Sequence, residues 1–183
     1  AEIWTLLASA LAERPAVIAP FVTRPNETVI DRASLGLAPA VSAATGVYQL
    51  LAPRRRKPAA TIVLQGSEVA YAFIQEALPL VRTAGLDLSV YYVASAELFD
   101  LLPPARQEKT FPAEAASRAM GITGFTLPTM HRWVTSERGR RATLHPFQKG
   151  HYLGSGQADS VMKEAGLDGR SQFAAIKRYI RKP

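Results

Sequence analysis

Cysteine is absent from the chain, which excludes disulfides, thiolate metal sites and a cysteine nucleophile and suits an intracellular setting. No apolar run approaches the roughly 20 residues that a membrane-crossing helix needs. The expectation is therefore a soluble, cytoplasmic protein with no membrane partner. Histidine is scarce: His131, His145 and His151 stand outside the close helical spacing of a paired metal site, and no acidic residue lies at a Glu-x-x-His distance. No metal or catalytic role is expected of them. An initiator methionine, a basic n-region and a signal-type apolar stretch are also missing from the start, Ala-Glu-Ile-Trp. Residues 2–12 hold strong helix formers without an N-terminal cap, so a helix reads as already under way at the first residue. The chain reads as a fragment, a processed product or a separate subunit.

What is present suits one α/β domain of ordinary size: 183 residues, 48% hydrophobic and 20% charged. A formal net charge of +7 implies attraction to anions, whether sugar phosphates, acidic partners or nucleic acid. The basic residues gather at Arg54-Arg55-Arg56-Lys57, at Arg138, Arg140 and Arg141, and at Lys177-Arg178 with Arg181-Lys182. Charge of this kind is most often a solvated surface.

Along the chain, Pro15–Val22 is a short apolar run closed by Thr23-Arg24-Pro25-Asn26 and reads as a buried strand entering a loop. Residues 27–60 are alanine-rich with scattered Gly and Pro, and read mainly as a linker holding one short strand at Val47–Leu51. From Ala60 the pattern sharpens. Thr61–Gln65 reads as a strand, Gly66-Ser67 as a turn with an N-cap, and Glu68 onward as a helix to about Thr83. Pro79 should kink that helix and Gly85 should end it. Leu88–Ala94 reads as a second strand parallel to the first, and Ala96–Leu102 as a short helix stopped by Pro103-Pro104. Further on, Arg141–Leu144 reads as a strand, Gln157–Ala165 as a helix, and Arg170–Arg181 as a closing helix capped by Asp168, with Phe173, Ile176 and Ile180 inward.

Several groups invite chemistry. Ser67 and Glu68 read as a capping pair rather than reactive groups. Gly150, Gly154 and Gly156 precede a helix, as an anion-binding loop would, but without a G-x-G-x-x-G pattern or a clear strand before them they read as tight-turn geometry. From Met130 through Tyr152, aromatic and basic residues interleave (His131-Arg132-Trp133, Arg138, Arg140-Arg141, Phe147, Lys149), which suits single-stranded nucleic acid or a protein interface.

The run Val63-Leu-Gln-Gly-Ser-Glu-Val-Ala70, a long helix, Gly85-Leu-Asp-Leu-Ser-Val-Tyr-Tyr-Val93 and Ser95-Ala-Glu-Leu-Phe-Asp100 resembles the opening of the transketolase C-terminal domain in order and spacing. Upstream, Arg14–Ala19 followed by Thr23-Arg24-Pro25-Asn26 is similar to the last strand of that family's pyrimidine-binding domain and its Ser-Arg-Gln-Asn turn. Downstream, Gly150–Ala158 and Gly166-Leu-Asp168 are similar, more loosely, to the family's closing region, while Met120–Lys149 has no close counterpart.

The resemblance implies a three-layer α/β/α domain with a mixed, mostly parallel sheet. It implies a remnant of the pyrimidine-binding domain over 1–30, a linker over 31–59 and a C-terminal domain over 60–183. It implies a whole enzyme that uses thiamine diphosphate and a divalent metal to move two-carbon ketol units between sugar phosphates. No Gly-Asp-Gly start with a downstream Asn is found, so neither cofactor nor metal is expected on this chain alone. Its role would be structural, packing against upstream cofactor-binding domains or a subunit of the same enzyme and supporting a homodimer, with no catalytic residue of its own. By position, Arg24 matches the family arginine that contacts the sugar phosphate. Two other readings stand beside this one: the matching region of a thiamine-dependent 2-oxoacid dehydrogenase component, and a free-standing basic module that binds nucleic acid or nucleotides.

Overall fold

The computed structural model of the chain describes residues 2–22 and 27–181. It opens on helix α1 (Ile3–Ala12) and reaches the sheet through a 3-10 turn (Ala40–Thr45) and strand β1 (Val47–Leu51). Strand β2 (Ala60–Gln65) feeds one long helical run made of α2 (Ser67–Ala72), a π-turn (Phe73–Ala77) and α3 (Leu78–Thr83). After β3 (Leu88–Val93) come the short helices α4 (Ala96–Asp100), α5 (Pro104–Thr110) and α6 (Ala113–Ser117), then β4 (Ala119–Thr123). Helices α7 (Glu137–Ala142), α8 (Ala158–Ala165) and α9 (Gly169–Arg181) close the chain.

The sheet order is β1-β3-β2-β4, with β2 parallel to both β3 and β4, and β1 antiparallel to β3. The mixed, mostly parallel sheet and its flanking helices form an α/β domain, as the sequence implies. Successive strand residues face opposite sides, so Ile62 and Leu64 join one core with Phe73, Leu78 and Ile176, while Val63 joins the other with Phe99, Phe111 and Trp133. Burial on both faces explains why β2 is apolar without alternation. β1 lies inside the stretch that reads as linker, yet Val47, Tyr48 and Leu50 are buried, so the sheet begins before residue 60.

Three local expectations change. Pro15–Val22 is not a strand: it is extended chain with Val17, Phe21 and Val22 at 77%, 90% and 75% exposure. Pro15 and Pro20 each lack the N–H that a ladder needs, and no strand pairs with this run among the described residues. Arg141–Leu144 is not a strand either, because Ser136 caps a helix there: its Oγ accepts from Gly139 N at 3.2 Å, and only Leu144 bridges to Ile122. The capping pair at Ser67 and Glu68 is not formed: Gly66, at φ 108°, occupies the N-cap position and no side chain caps the helix. Pro79 lies in the first turn of α3, next to a local irregularity in the helical run. In the π-turn before it, Leu78 N–H donates to Phe73 O, five residues back rather than four, and this looser turn adjoins the place where Pro79 withholds a donor.

Asp168 does cap α9. Its Oδ1 accepts from Arg170 N at 3.1 Å and Ser171 N at 3.2 Å, and Ser171 Oγ donates to Oδ2 at 2.5 Å. Burial pushes this carboxyl up, but the hydrogen bonds from Ser171 and Arg170 outweigh it and hold the group below the usual carboxylate range. A depressed folded-state pKa contributes stability above the unfolded value, near 3.9, that is lost as pH falls through the folded pKa. Asp168→Ala is therefore expected to cost about 1 kcal/mol at pH 7. The gap to wild type should narrow as pH falls below the unfolded value, which urea melts at pH 7 and across the acid range would measure.

Candidate functional site

In parallel α/β sheets, ligands sit beyond the carboxyl ends of the strands, where neighbouring strands send their connections to opposite sides. Here that crevice lies between β2 and β4. Gln65 ends β2, and its Oε1 accepts from Thr123 Oγ1 at 3.1 Å and Thr129 Oγ1 at 2.8 Å. Thr123 Oγ1 in turn accepts from Phe125 N at 3.0 Å, and Gly124 N donates to Gln65 O at 3.0 Å. The half-buried Glu68 carboxylate lies over the backbone of two glycines: a Cβ on Gly124 would stand 1.6 Å from Glu68 Oε1, and one on Gly66 would stand 2.8 Å away. An amide, two hydroxyls and one carboxylate thus gather at this end of the sheet, but Thr123 is fully buried and both hydroxyls are spent on Gln65, so the cluster ties β2 to β4.

A second polar cluster fastens the N-terminal helix to the sheet. Arg32 donates to Ala38 O at 3.1 Å and to Tyr48 OH at 3.0 Å, and it pairs with Glu2, whose Oε1 also accepts from Tyr48 OH at 2.7 Å. Burial pushes Glu2 up, but the Tyr48 hydroxyl and the Arg32 charge hold it below its ordinary value. Burial and the Glu2 charge raise Tyr48, and burial followed by the Glu2 and Glu68 charges raises Tyr92. The cavity beside this cluster, with Ser67, Tyr71 and Tyr92 in its wall, is about 50 Å³, a size for water rather than a sugar.

Arg24 lies outside the described residues. The three histidines are not gathered into a site: His131 and His151 are exposed, and His145 is half-buried with Nδ1 unpartnered and its pKa lowered by burial. Among the described residues, no group of three or more His, Asp and Glu side chains is placed to hold a metal. Gly154 stands in open space and a Cβ on Gly156 would meet Val161 Cγ2 at 3.7 Å, both before α8, whose first turn carries the anion-repelling Asp159. The aromatic and basic run from Met130 to Tyr152 divides. Trp133 is 1% exposed and packs edge-on against Phe99 and Phe111, while Arg132 stacks on it and pairs with Asp100. Arg138 covers the Tyr179 ring and donates to Tyr179 O. These anchors serve the protein's own core and are not free for a partner. The crevice residues Thr123 and Thr129 escaped sequence reasoning because β4 did, and the paired hydroxyls carried no motif.

Solved structures share this architecture. A transketolase from Leishmania mexicana superposes with a TM-score of 0.56 at 16% identity, over 78% of this chain and 19% of its own. One from Pichia stipitis in complex with sedoheptulose 7-phosphate gives 0.55 at 16% identity, over 79% and 19%. One from Campylobacter jejuni gives 0.53 at 18% identity, over 73% and 18%. The fold is transketolase-like over part of its length. The chain spans about 19% of the transketolases it matches. No family model matches the sequence, and no curated protein matches it. Among the described residues, no helix is long and apolar enough to cross a membrane.

Proposed function

We propose that the chain is the C-terminal region of a transketolase-like thiamine diphosphate enzyme. In this reading residues 1–30 are the end of the pyrimidine-binding domain, 31–59 the linker, whose β1 adds an edge strand to the next domain's sheet, and 60–183 the C-terminal domain. The domain packs against the cofactor-binding domains and supports the dimer, and the whole enzyme moves two-carbon ketol units between sugar phosphates. The transketolase-like fold carries the proposal.

The N-terminal segment supports it. Helix α1 has no buried residue, and Trp4, Leu11, Val17, Phe21 and Val22 are all at least 65% exposed. A run of large apolar side chains left in water is the mark of a surface that another polypeptide covers. The described residues gather no metal donors, so they do not fit a metal-bound diphosphate. Thiamine diphosphate would be held by residues upstream, where its thiazolium ring would supply the carbanion chemistry of ketol transfer. This chain's part is to seat those domains, with Arg24 presenting a guanidinium fork to a sugar phosphate.

The test is reconstitution. The chain alone should show no ketol transfer, and mixing it with the polypeptide that precedes it should restore transfer that depends on thiamine diphosphate. In that mixture Arg24→Ala should raise KM for a phosphorylated sugar about tenfold, the size of one lost charged contact. No association between the two polypeptides, or transfer that does not need the cofactor, would refute the reading.

A further inference from the structure

We propose that the loop Arg54–Lys57 is a binding site for ligands carrying two or more adjacent phosphate groups. The proposal does not depend on the transketolase-like function. The loop joins β1 to β2 at the end of the sheet where the parallel strands begin, opposite the crevice at Gln65 and Thr123. Its four residues are consecutive cations bracketed by Pro53 and Pro58, and the backbone bends at each of them.

Asp87 builds the loop. This residue is 8% exposed, and its Oδ1 accepts from Arg54 N at 2.8 Å while its Oδ2 accepts from Arg55 N at 2.9 Å. Its carbonyl accepts from Ala59 N at 2.7 Å. One residue therefore ties both ends of the loop through backbone groups, and the prolines fix two flanking φ angles. The shape does not depend on the basic side chains, all four of which are exposed. Arg54 Nε lies 3.9 Å from Asp87 Oδ1, and Arg55, Arg56 and Lys57 form no ion pair among the described residues.

The surroundings add charge of the same sign. Arg118 immediately precedes β4, so it lies at this end of the sheet, and the Tyr179 hydroxyl donates to its carbonyl at 3.0 Å. That bond brings the last turn of α9, with Arg178 and Arg181, to the same pole. Arg118 itself pairs with Glu114, so it is the loop's own consecutive cations that raise the local potential and attract polyanions. Four cations within at most about 10 Å of chain outnumber the charges on one phosphate but match a row of them. Three are arginines, whose planar forks bond two phosphate oxygens at once. Side-chain carboxylates carry one charge each and sit further apart, so an acidic peptide matches the loop less well. Adjacent phosphates occur in small polyphosphates and along nucleic-acid strands.

The test uses the full chain. Calorimetry with inorganic tripolyphosphate should show binding at least about tenfold tighter than with orthophosphate. A labelled oligothymidylate followed by anisotropy reports the second source, and whichever ligand binds more tightly at 0.15 M salt identifies it. Arg55→Ala/Arg56→Ala/Lys57→Ala keeps the backbone N–H that Asp87 accepts and should lose about tenfold or more in affinity. The charge-matched Arg106→Ala/Lys163→Ala/Arg170→Ala, at exposed sites away from the loop, should lose less than about threefold. If the loop variant melts early, Arg56→Ala/Lys57→Ala replaces it. Absence of binding to both polyanions, or equal losses in the two charge-matched variants, would overturn the proposal.

Discussion

Gly46→Ala is expected to destabilise the fold by about 4 kcal/mol or more, placing it among the largest single-site effects. For a domain of this size that is a fall of roughly 8–16 °C in melting temperature. Backbone strain and collision both contribute. Gly46 has φ +75° and ψ −41°, outside the left-handed helical well, where a residue with a Cβ pays about 1–3 kcal/mol. The collision costs more: the new Cβ would stand 2.2 Å from Ser95 O and 2.6 Å from Phe99 N, both backbone atoms that no rotamer change can move. Gly46 O also accepts from Ala94 N and Ser95 N, each at 2.9 Å, so β1 cannot back away without breaking its tie to the end of β3. Gly36→Ala is the control, because Gly36 shares a positive φ of +58° but would have nothing within 4 Å of its Cβ. Thermal melts of both variants separate strain from collision. Equal losses at the two positions would mean that the close approach at Gly46 carries no weight.

The sequence was legible where one local signal matched the tertiary demand. β2, the helix after it, β3 and the start of α4 each combine an apolar run with a turn or cap residue, and Ser95 does cap α4 by accepting from Leu98 N at 3.2 Å. That same stretch carries the transketolase resemblance, and the fold comparison agrees with it. β4 was missed because Ala-Met-Gly-Ile-Thr has small residues and no alternation. All five are buried, and Gly121 is there because Met130 Cε and Thr143 Cγ2 would stand 2.6 and 3.0 Å from a Cβ. Without β4 the contact between Thr123 and Gln65 at the ends of the two strands is not legible either. The helix at Glu137–Ala142 is marked at its start by Ser136 and Glu137, but Gly139 and the Arg140-Arg141 pair leave its short sequence without an apolar face to read. Gly139 is a packing requirement: a Cβ there would lie 2.0 Å from Ala119 O, and its absence lets α7 lie directly on β4. Position within a core is a tertiary property, and nothing local in His131-Arg132-Trp133 distinguishes an indole turned inward from one offered to a partner.

That last ambiguity has a measurable resolution. Trp133→Ala should cost about 3–5 kcal/mol, the range for emptying a buried large aromatic site. The indole fills the centre of an aromatic group, 5.3 Å from the Phe99 ring and 5.6 Å from Phe111, which itself stands 4.9 Å from Tyr91. Edge-to-face pairs at these distances stabilise beyond the burial of apolar area, so the loss spreads beyond one side chain. Arg132 gives the contrast. Its guanidinium lies 4.4 Å from the Trp133 ring centre and bonds Asp100 at 2.9 Å, but its side chain is 43% exposed. An ion pair that wet is worth no more than about 1 kcal/mol, and Arg132→Ala should cost little beyond that. Denaturant melts of the isolated chain therefore rank the two variants in opposite ways for the two readings. If Trp133 were an interface anchor, its removal would leave the isolated chain's melting unchanged and weaken only assembly. A core residue lowers the stability of the isolated chain severalfold more than its arginine neighbour does, and with it the support under α4, α6 and the face of β2 that carries Val63.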